Sequence, residues 1–266
     1  MTRSPNDGLR TLEVLGTPLL VTTYEELIAE CQRRTKASGV TAIEFANTQI
    51  VTMRRAEPAF RQMTDAYDFF APDGMPLIWY LNAQGAGMVD RVYGPTFMRE
   101  CLRITPAPAS HYLLGGSTEL GARLREAILR WNPQTKVVGS FHGMVGMDGC
   151  VKDGCENTLI EEINRLSPDF IWVGLGTPKQ QAWIHRNKRR LRRGVIFGVG
   201  FGFDVNAGMK RDAPGWMQRS GLTWLYRLAS EPRRLAGRYL KYNTLFLAYL
   251  LRDLMCGGNS KKKGLS

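Results

Sequence analysis

The chain has 266 residues, enough for one α/β domain with an appendage, and its 44% hydrophobic content excludes wholesale disorder. Its formal net charge of +12 is confined to the last third: residues 185–266 hold 18 Lys/Arg against 4 Asp/Glu, whereas residues 1–184 hold 18 against 20. That asymmetry points to a polyanionic partner (nucleic acid, acidic lipid headgroups or a phosphorylated substrate), while five scattered cysteines without a CxxC pair and three dispersed histidines argue against a disulfide framework and a zinc or His-rich metal centre.

The N-terminal MTRSPNDGLR lacks the apolar core of a signal peptide, so the chain is expected to stay in the cytoplasm. No run approaches the ~18 consecutive apolar residues of a membrane-spanning helix. A helix is expected over residues 24–37, a strand over 40–46, a helix over 48–65 and a strand over 68–71. A helix over 95–104 leads into a strand at 111–114. In the helix over 118–131, Leu120, Leu124, Ala127, Ile128 and Trp131 share one face, and Ser117 or Thr118 can cap its first turn. The alternation continues with a strand at 136–141, a helix at 158–166, a strand at 169–174, a helix at 179–191 and a strand at 195–199. The run FIWVGL is apolar throughout, as for a strand covered on both faces. Strands alternating with helices predict a Rossmann-like, mostly parallel sheet layered with helices over residues 1–208.

Beyond residue 208 the strand pattern stops. Residues 213–230 and 232–255 read as two helices broken at Glu231–Pro232, forming a basic appendage over 209–256, and residues 257–266 read as a disordered tail. The second helix sets Leu235, Tyr239, Tyr242, Phe246, Tyr249 and Leu250 among Arg233, Arg234, Arg238, Lys241 and Arg252. Basic and aromatic residues on one helix suit an anionic membrane surface; packing on the α/β core is the alternative, and the two can hold for different faces.

Ligands of open α/β sheets gather at the carboxyl ends of the strands, and four segments there carry polar or glycine-rich chemistry. In FANT, Asn47 and Thr48 either cap the next helix or hydrogen-bond sugar oxygens. In APDG, Asp73 stands between Pro72 and Gly74, either forming the turn or serving as a base for an acceptor hydroxyl. In LLGGSTEL, Gly115, Gly116 and Ser117 lead into a helix N-terminus suited to a diphosphate, without the P-loop pattern. In GLGTPKQQAW, Gly176 opens a turn after which Lys179 could pair with phosphate and Gln180 could bond a base or ribose. The later GVGFGFDVNAG has GxGxG spacing, which argues against NAD binding.

In order and spacing these segments resemble the WecG/TagA/CpsF glycosyltransferases, over roughly residues 13–240. The resemblance continues through Phe203–Asp204, Ala207–Gly208, Arg211, Ala213–Pro214 and GLTWLYRL at 221–228 with Glu231, Pro232 and Arg233. It implies an inverting transfer of an N-acetylmannosamine-type sugar or glucose from a UDP-sugar to a polyprenyl-diphosphate-linked saccharide, at the inner face of the cytoplasmic membrane. No metal, cofactor or nucleic acid is implied, and homo-oligomers are possible. By the same resemblance Asp73 is the general base, and Asn47 and Thr48 lie near the sugar. Residues 115–118 and 174–181 would hold the uridine and diphosphate. Arg227, Arg233, Arg234 and Arg238 would meet the diphosphate of donor or acceptor. Many relatives carry Thr where this chain has Phe45, and an acid where it has Gln181, so the donor sugar can differ. Two other readings are weighed against this one: a Rossmann-type NAD oxidoreductase, and a non-enzymatic basic protein binding membrane or nucleic acid.

Overall fold

The computed structural model describes residues 9–104 and 109–262. A hairpin comes first, β1 (Thr11–Val14) and β2 (Thr17–Leu20), turned through Leu15 and Gly16 at positive φ. Two successive left-handed residues match the twist of short antiparallel strands. The sequence reading assigns no element here, because four-residue strands leave little periodic trace.

After α1 (Tyr24–Arg34), strand β3 (Gly39–Ala46) starts a six-stranded parallel sheet. The single helix expected over 48–65 is two, α2 (Thr48–Ala56) and α3 (Pro58–Thr64). Glu57 between them is extended, at φ −125° and ψ 98°, because Pro58 disfavours a helical residue before it. Next come β4 (Phe69–Pro72), α4 (Met75–Ala83) and α5 (Gly94–Ile104). The sequence reading has no counterpart to α4. Its Pro76 resembles turn punctuation but sits in the first turn, where a helix tolerates proline.

The chain continues through β5 (Ser110–Leu114), α6 (Thr118–Trp131), β6 (Lys136–Phe141), α7 (Glu156–Leu166), β7 (Phe170–Val173), α8 (Lys179–Asn187), β8 (Arg193–Gly198) and the short α9 (Gly202–Asn206). The strand order is β4-β3-β8-β7-β5-β6, with every neighbouring pair parallel. The layered α/β expectation therefore holds. One face of the sheet packs Ala42, Ala46, Ile171 and Ile196 against Ile50, Val51, Ile160, Trp183 and Ile184 from α2, α7 and α8. The other packs Ile43, Phe45, Trp172 and Phe197 against Leu27, Phe97, Leu124 and Phe203 from α1, α5, α6 and α9. Trp172 and Phe197 stack with ring centroids 4.4 Å apart.

From β3 the chain departs towards β4, while β8 is reached from β7 on the opposite side. The carboxyl ends of β3 and β8 thus flank a point of diverging connections, where such sheets hold ligands.

The appendage has three helices rather than two: α10 (Gly215–Arg219), α11 (Thr223–Ser230) and α12 (Pro232–Lys262). The break between α10 and α11 falls at Gly221, whose φ of +71° a side-chain-bearing residue adopts only with strain. A Cβ there would also lie 2.9 Å from Trp79 Cη2. Helix α12 lies along α2 and buries Leu235, Tyr242 and Phe246. Arg55 clasps the Asp253 carboxylate with two hydrogen bonds of 2.8 and 2.9 Å, and Glu57 Oε1 accepts from Tyr242 Oη at 2.6 Å and Lys241 Nζ at 3.1 Å. Leu240, Leu247, Leu251 and Met255 remain exposed. One face of α12 therefore packs on the core and another carries open apolar surface. The helix runs to Lys262, so only the last four residues of the expected 257–266 tail lie outside the described residues.

Candidate active site

Two cavities open side by side at the carboxyl end of the sheet, roofed by α11 and α12. The first, of about 300 Å³, lies at the ends of β3, β7 and β8 and is lined by polar groups. They include Asn47, Asp73, Gly176, Lys179, Gln180, Asp204 and Lys210, with Arg227, Arg234 and Arg238 from the appendage. The second, of about 510 Å³, runs between α4, α11 and α12 and is mainly apolar: Met75, Pro76, Trp79, Tyr80, Trp224, Tyr239, Phe246, Leu247 and Leu250. Asn47, Gln49, Asp73 and Arg227 line both.

Asp73 directly follows β4, its N–H bonded to Ala46 O at 2.8 Å, so the sheet fixes its backbone. Its side chain is half-buried. Burial pushes the carboxyl up from its ordinary 3.8 to about 7, opposed by Arg91, a hydrogen bond from the Gly94 backbone and Arg227, with Asp212 adding to the rise. A carboxylate with that value can accept a proton near neutral pH.

Arg91 is a residue that sequence reasoning missed. It is 6% exposed and donates to Asp73 O at 3.2 Å, Thr223 Oγ1 at 3.1 Å and Gln218 Oε1 at 3.4 Å, with its guanidinium 4.2 Å from the Tyr93 ring centre. Tyr93 Oη donates to Asp212 Oδ1 at 2.9 Å, and Asp212 also accepts from Gln218 Nε2 at 3.3 Å. This network binds the Asp73 loop to the start of the appendage. Its bonds to the appendage join residues more than a hundred apart in sequence, so no local motif announces it.

Asn47 caps α2 by accepting from Ile50 N at 3.1 Å, and it also lines both cavities. The alternatives of cap and ligand group are therefore compatible. Thr48 lines the apolar cavity and donates a long 3.4 Å bond to Asn243 Oδ1.

The appendage arginines crowd one another. Burial, and then repulsion from Arg234 and Arg227, lowers the pKa of Arg238, and its Nε is buried without a hydrogen-bond partner. Arg227 lies 4.1 Å from the Phe201 ring centre, with Lys210 5.7 Å from the same ring. Cations held this close favour a multiply charged anion among them. Arg233, by contrast, is exposed and lines neither cavity.

Gly176, Lys179 and Gln180 line the polar cavity. Gln180 lies across the exit of β8, where a Cβ on Gly198 would meet its Nε2 at 2.7 Å and one on Gly200 its Oε1 at 3.2 Å. The GxGxG run thus makes room for this side chain. Gly115, Gly116 and Ser117 do not line the cavity. A Cβ on Gly115 would stand 2.9 Å from the Gly174 backbone, and Ser117 caps α6 by accepting from Leu120 N at 3.1 Å. Gly115 thus has a packing role and Ser117 a capping one.

Among the described residues, no three His, Cys, Asp or Glu side chains gather as a metal site requires, and no helix is long and apolar enough to cross a membrane.

Residues 12–260 match the model of the glycosyl transferase WecG/TagA/CpsF family. A protein of Staphylococcus aureus strain MRSA252, named N-acetylglucosaminyldiphosphoundecaprenol N-acetyl-beta-D-mannosaminyltransferase, is 25% identical over 88% of this chain and 91% of its own length. The protein of that name from strain MW2 is 24% identical over the same shares. A paired polar and apolar cavity meeting at one carboxylate, together with a match along nearly the whole chain, makes this protein a glycosyltransferase belonging to the WecG/TagA/CpsF family.

Proposed function

We propose that this enzyme transfers an N-acetylmannosamine-type sugar from a UDP-sugar to a hydroxyl of a polyprenyl-diphosphate-linked saccharide, with inversion at the anomeric carbon. The observation that carries the reading is the position of Asp73, which lines both the cation-rich polar cavity and the apolar groove. The donor occupies the first and the lipid-linked acceptor enters by the second. Asp73 removes the proton of the acceptor hydroxyl as its oxygen attacks the anomeric carbon. The bond from that carbon to the diphosphate oxygen breaks, and the charge left on UDP is met by Arg227, Arg234 and Arg238. Asn47, beside Asp73 in both cavities, orients the sugar. The names of the Staphylococcus aureus relatives support the sugar and acceptor classes.

The groove mouth carries exposed apolar groups, Trp79, Trp224 and Leu247, and Leu251 and Met255 continue along α12. This surface, flanked by basic residues, rests on an anionic membrane and brings the prenyl chain to the groove. The test is transfer of radiolabelled sugar from UDP-N-acetylmannosamine to prenyl-diphosphate-linked N-acetylglucosamine, with chelator present and with long- and short-chain acceptors. Transfer with a lower KM for the longer prenyl chain is expected. Absence of transfer from any UDP-sugar would overturn the reading.

A further inference from the structure

On β3, one residue before Phe45, stands Glu44, 1% exposed in the middle of the sheet. Neighbouring side chains on a strand point to opposite faces. Phe45 accordingly joins the aromatic core of one face, 5.1 Å from the Phe97 ring, while Glu44 reaches the floor of the polar cavity. A buried carboxyl is costly unless something on the other side of the balance requires it. The hydrogen-bond partner here is a neutral amide rather than a cation. Gln181 Nε2 lies 3.1 Å from each Glu44 oxygen and 3.3 Å from Thr177 Oγ1 in the turn after β7.

Hydrogen-bonding capacity is left over around this pair. Tyr67 Oη, Gln180 Oε1 and Gln181 Oε1 are all buried without a partner, and Tyr67 is close enough to act on the Glu44 carboxyl without meeting hydrogen-bond geometry. Glu44 and Gln180 line the same cavity. Buried polar groups are normally satisfied, so the unpartnered Gln180 Oε1, on the same cavity lining as Glu44, is open to something that enters. Burial, with Asp73 adding, raises the Glu44 carboxyl to about 8, so at neutral pH it holds its proton and can both donate and accept. A diphosphate is not the group placed against it. The arginines of the appendage supply the cations of this cavity, which Glu44 and Asp73 also line.

We propose that Glu44, held by Gln181, is the residue that selects the donor sugar: it takes a hydroxyl or amide N–H of a neutral hexose or acetamido-hexose and turns away sugars bearing a carboxylate. A neutral substituent uses the free acceptor and donor positions of the cluster. A uronate carboxylate instead is stripped of water against neutral partners, the protonated Glu44 and the Gln180 amide, a cost that a hydroxyl or amide N–H does not carry. Sites built to hydrogen-bond a substrate group discriminate strongly, because their own polar atoms go unpaired with the wrong substrate.

This assignment rests on the donor-site reading above, and the experiment separates the two. Wild type, Glu44→Gln and the exchange Glu44→Gln/Gln181→Glu are compared for kcat/KM with a UDP-N-acetylhexosamine and a UDP-hexuronate, for UDP affinity by calorimetry, and for melting temperature. Wild type is expected to favour the neutral donor by roughly 100-fold or more, and Glu44→Gln to cut that ratio about tenfold while UDP affinity stays within about twofold. The exchange variant keeps a carboxyl–amide pair, so it is expected to fold like wild type without regaining the wild-type ratio; it carries the comparison if the single variant fails to fold. An unchanged donor ratio in a folded variant that binds UDP would reduce Glu44 to a packing role and overturn the proposal. UDP binding without transfer from any donor would instead overturn the transferase reading, and the Glu44 assignment with it.

Discussion

An Asp73→Asn variant keeps the shape of the side chain and removes its titration, so activity and stability should move in opposite directions. The folded protein raises this carboxyl from 3.8 to about 7 and therefore holds its proton more tightly than the unfolded chain does. The stability this group contributes is full below about pH 4 and is lost as pH rises through about 7. With the carboxyl wholly shut off from water, the loss at pH 8 would be on the order of 4 kcal/mol, and the half-open side chain reduces it to about 2 kcal/mol. Asparagine has no such loss, so chemical denaturation at pH 8 should find the variant more stable by about that amount, with the difference vanishing below about pH 4. Wild-type kcat/KM should climb roughly tenfold from pH 6 to pH 8 as Asp73 ionises, and the variant should lose that limb along with ~10²–10⁴ of the rate. A variant with wild-type turnover, or one that keeps the rising limb and gains nothing in stability at pH 8, would refute both the role and the electrostatics behind it.

Arg238→Ala relieves repulsion from Arg234 and Arg227. It should weaken UDP binding about 10- to 100-fold, measured by calorimetry with chelator, without lowering the melting temperature of the free protein; undiminished UDP affinity would remove Arg238 from the anion site. Gly221→Ala places a Cβ 2.9 Å from Trp79 Cη2 at a φ of +71° and should destabilise the fold by about 1–3 kcal/mol in denaturant titrations. A neutral result there would mean that the α10–α11 turn can shift away from α4.

The sheet was legible because its strands are buried on both faces. The stretch Phe170–Val173 is four apolar residues with exposures of 0–1%, and no helical face could hide them all. The charge excess pointed to the appendage, and the structure brings three of the four singled-out arginines to the polar cavity. Local punctuation was harder to read. Pro58 and Pro76 both sit in the first turn of a helix, and the difference is that another helix, α2, runs up to Glu57 just before Pro58. The glycine pair 115–116 carries the signature of an anion loop, and the structure adds a demand on Gly115 that the sequence hides, the Gly174 backbone some sixty residues away. Arg91 and Glu44 were invisible for the same reason, since each takes its meaning from partners distant in sequence, Thr223 for one and Gln181 for the other.

Helix α12 contributes Arg234 and Arg238 to one cavity and Tyr239, Phe246, Leu247 and Leu250 to the other. The strand ends supply the floor of the polar cavity, and the apolar groove is closed by α4, α11 and α12. On the proposed function, donor and acceptor are recognised by parts of the chain that can vary separately: strand termini can change with the sugar, and the outer helices with the lipid-linked chain that receives it. The constraint on that freedom is the clasp of Arg55 and Asp253, which holds α12 to the very helix that Asn47 caps and Thr48 begins. A lineage exchanging α11 and α12 must therefore preserve the seam along α2, and a graft that ignored the seam would displace the cavity-lining end of that helix as well.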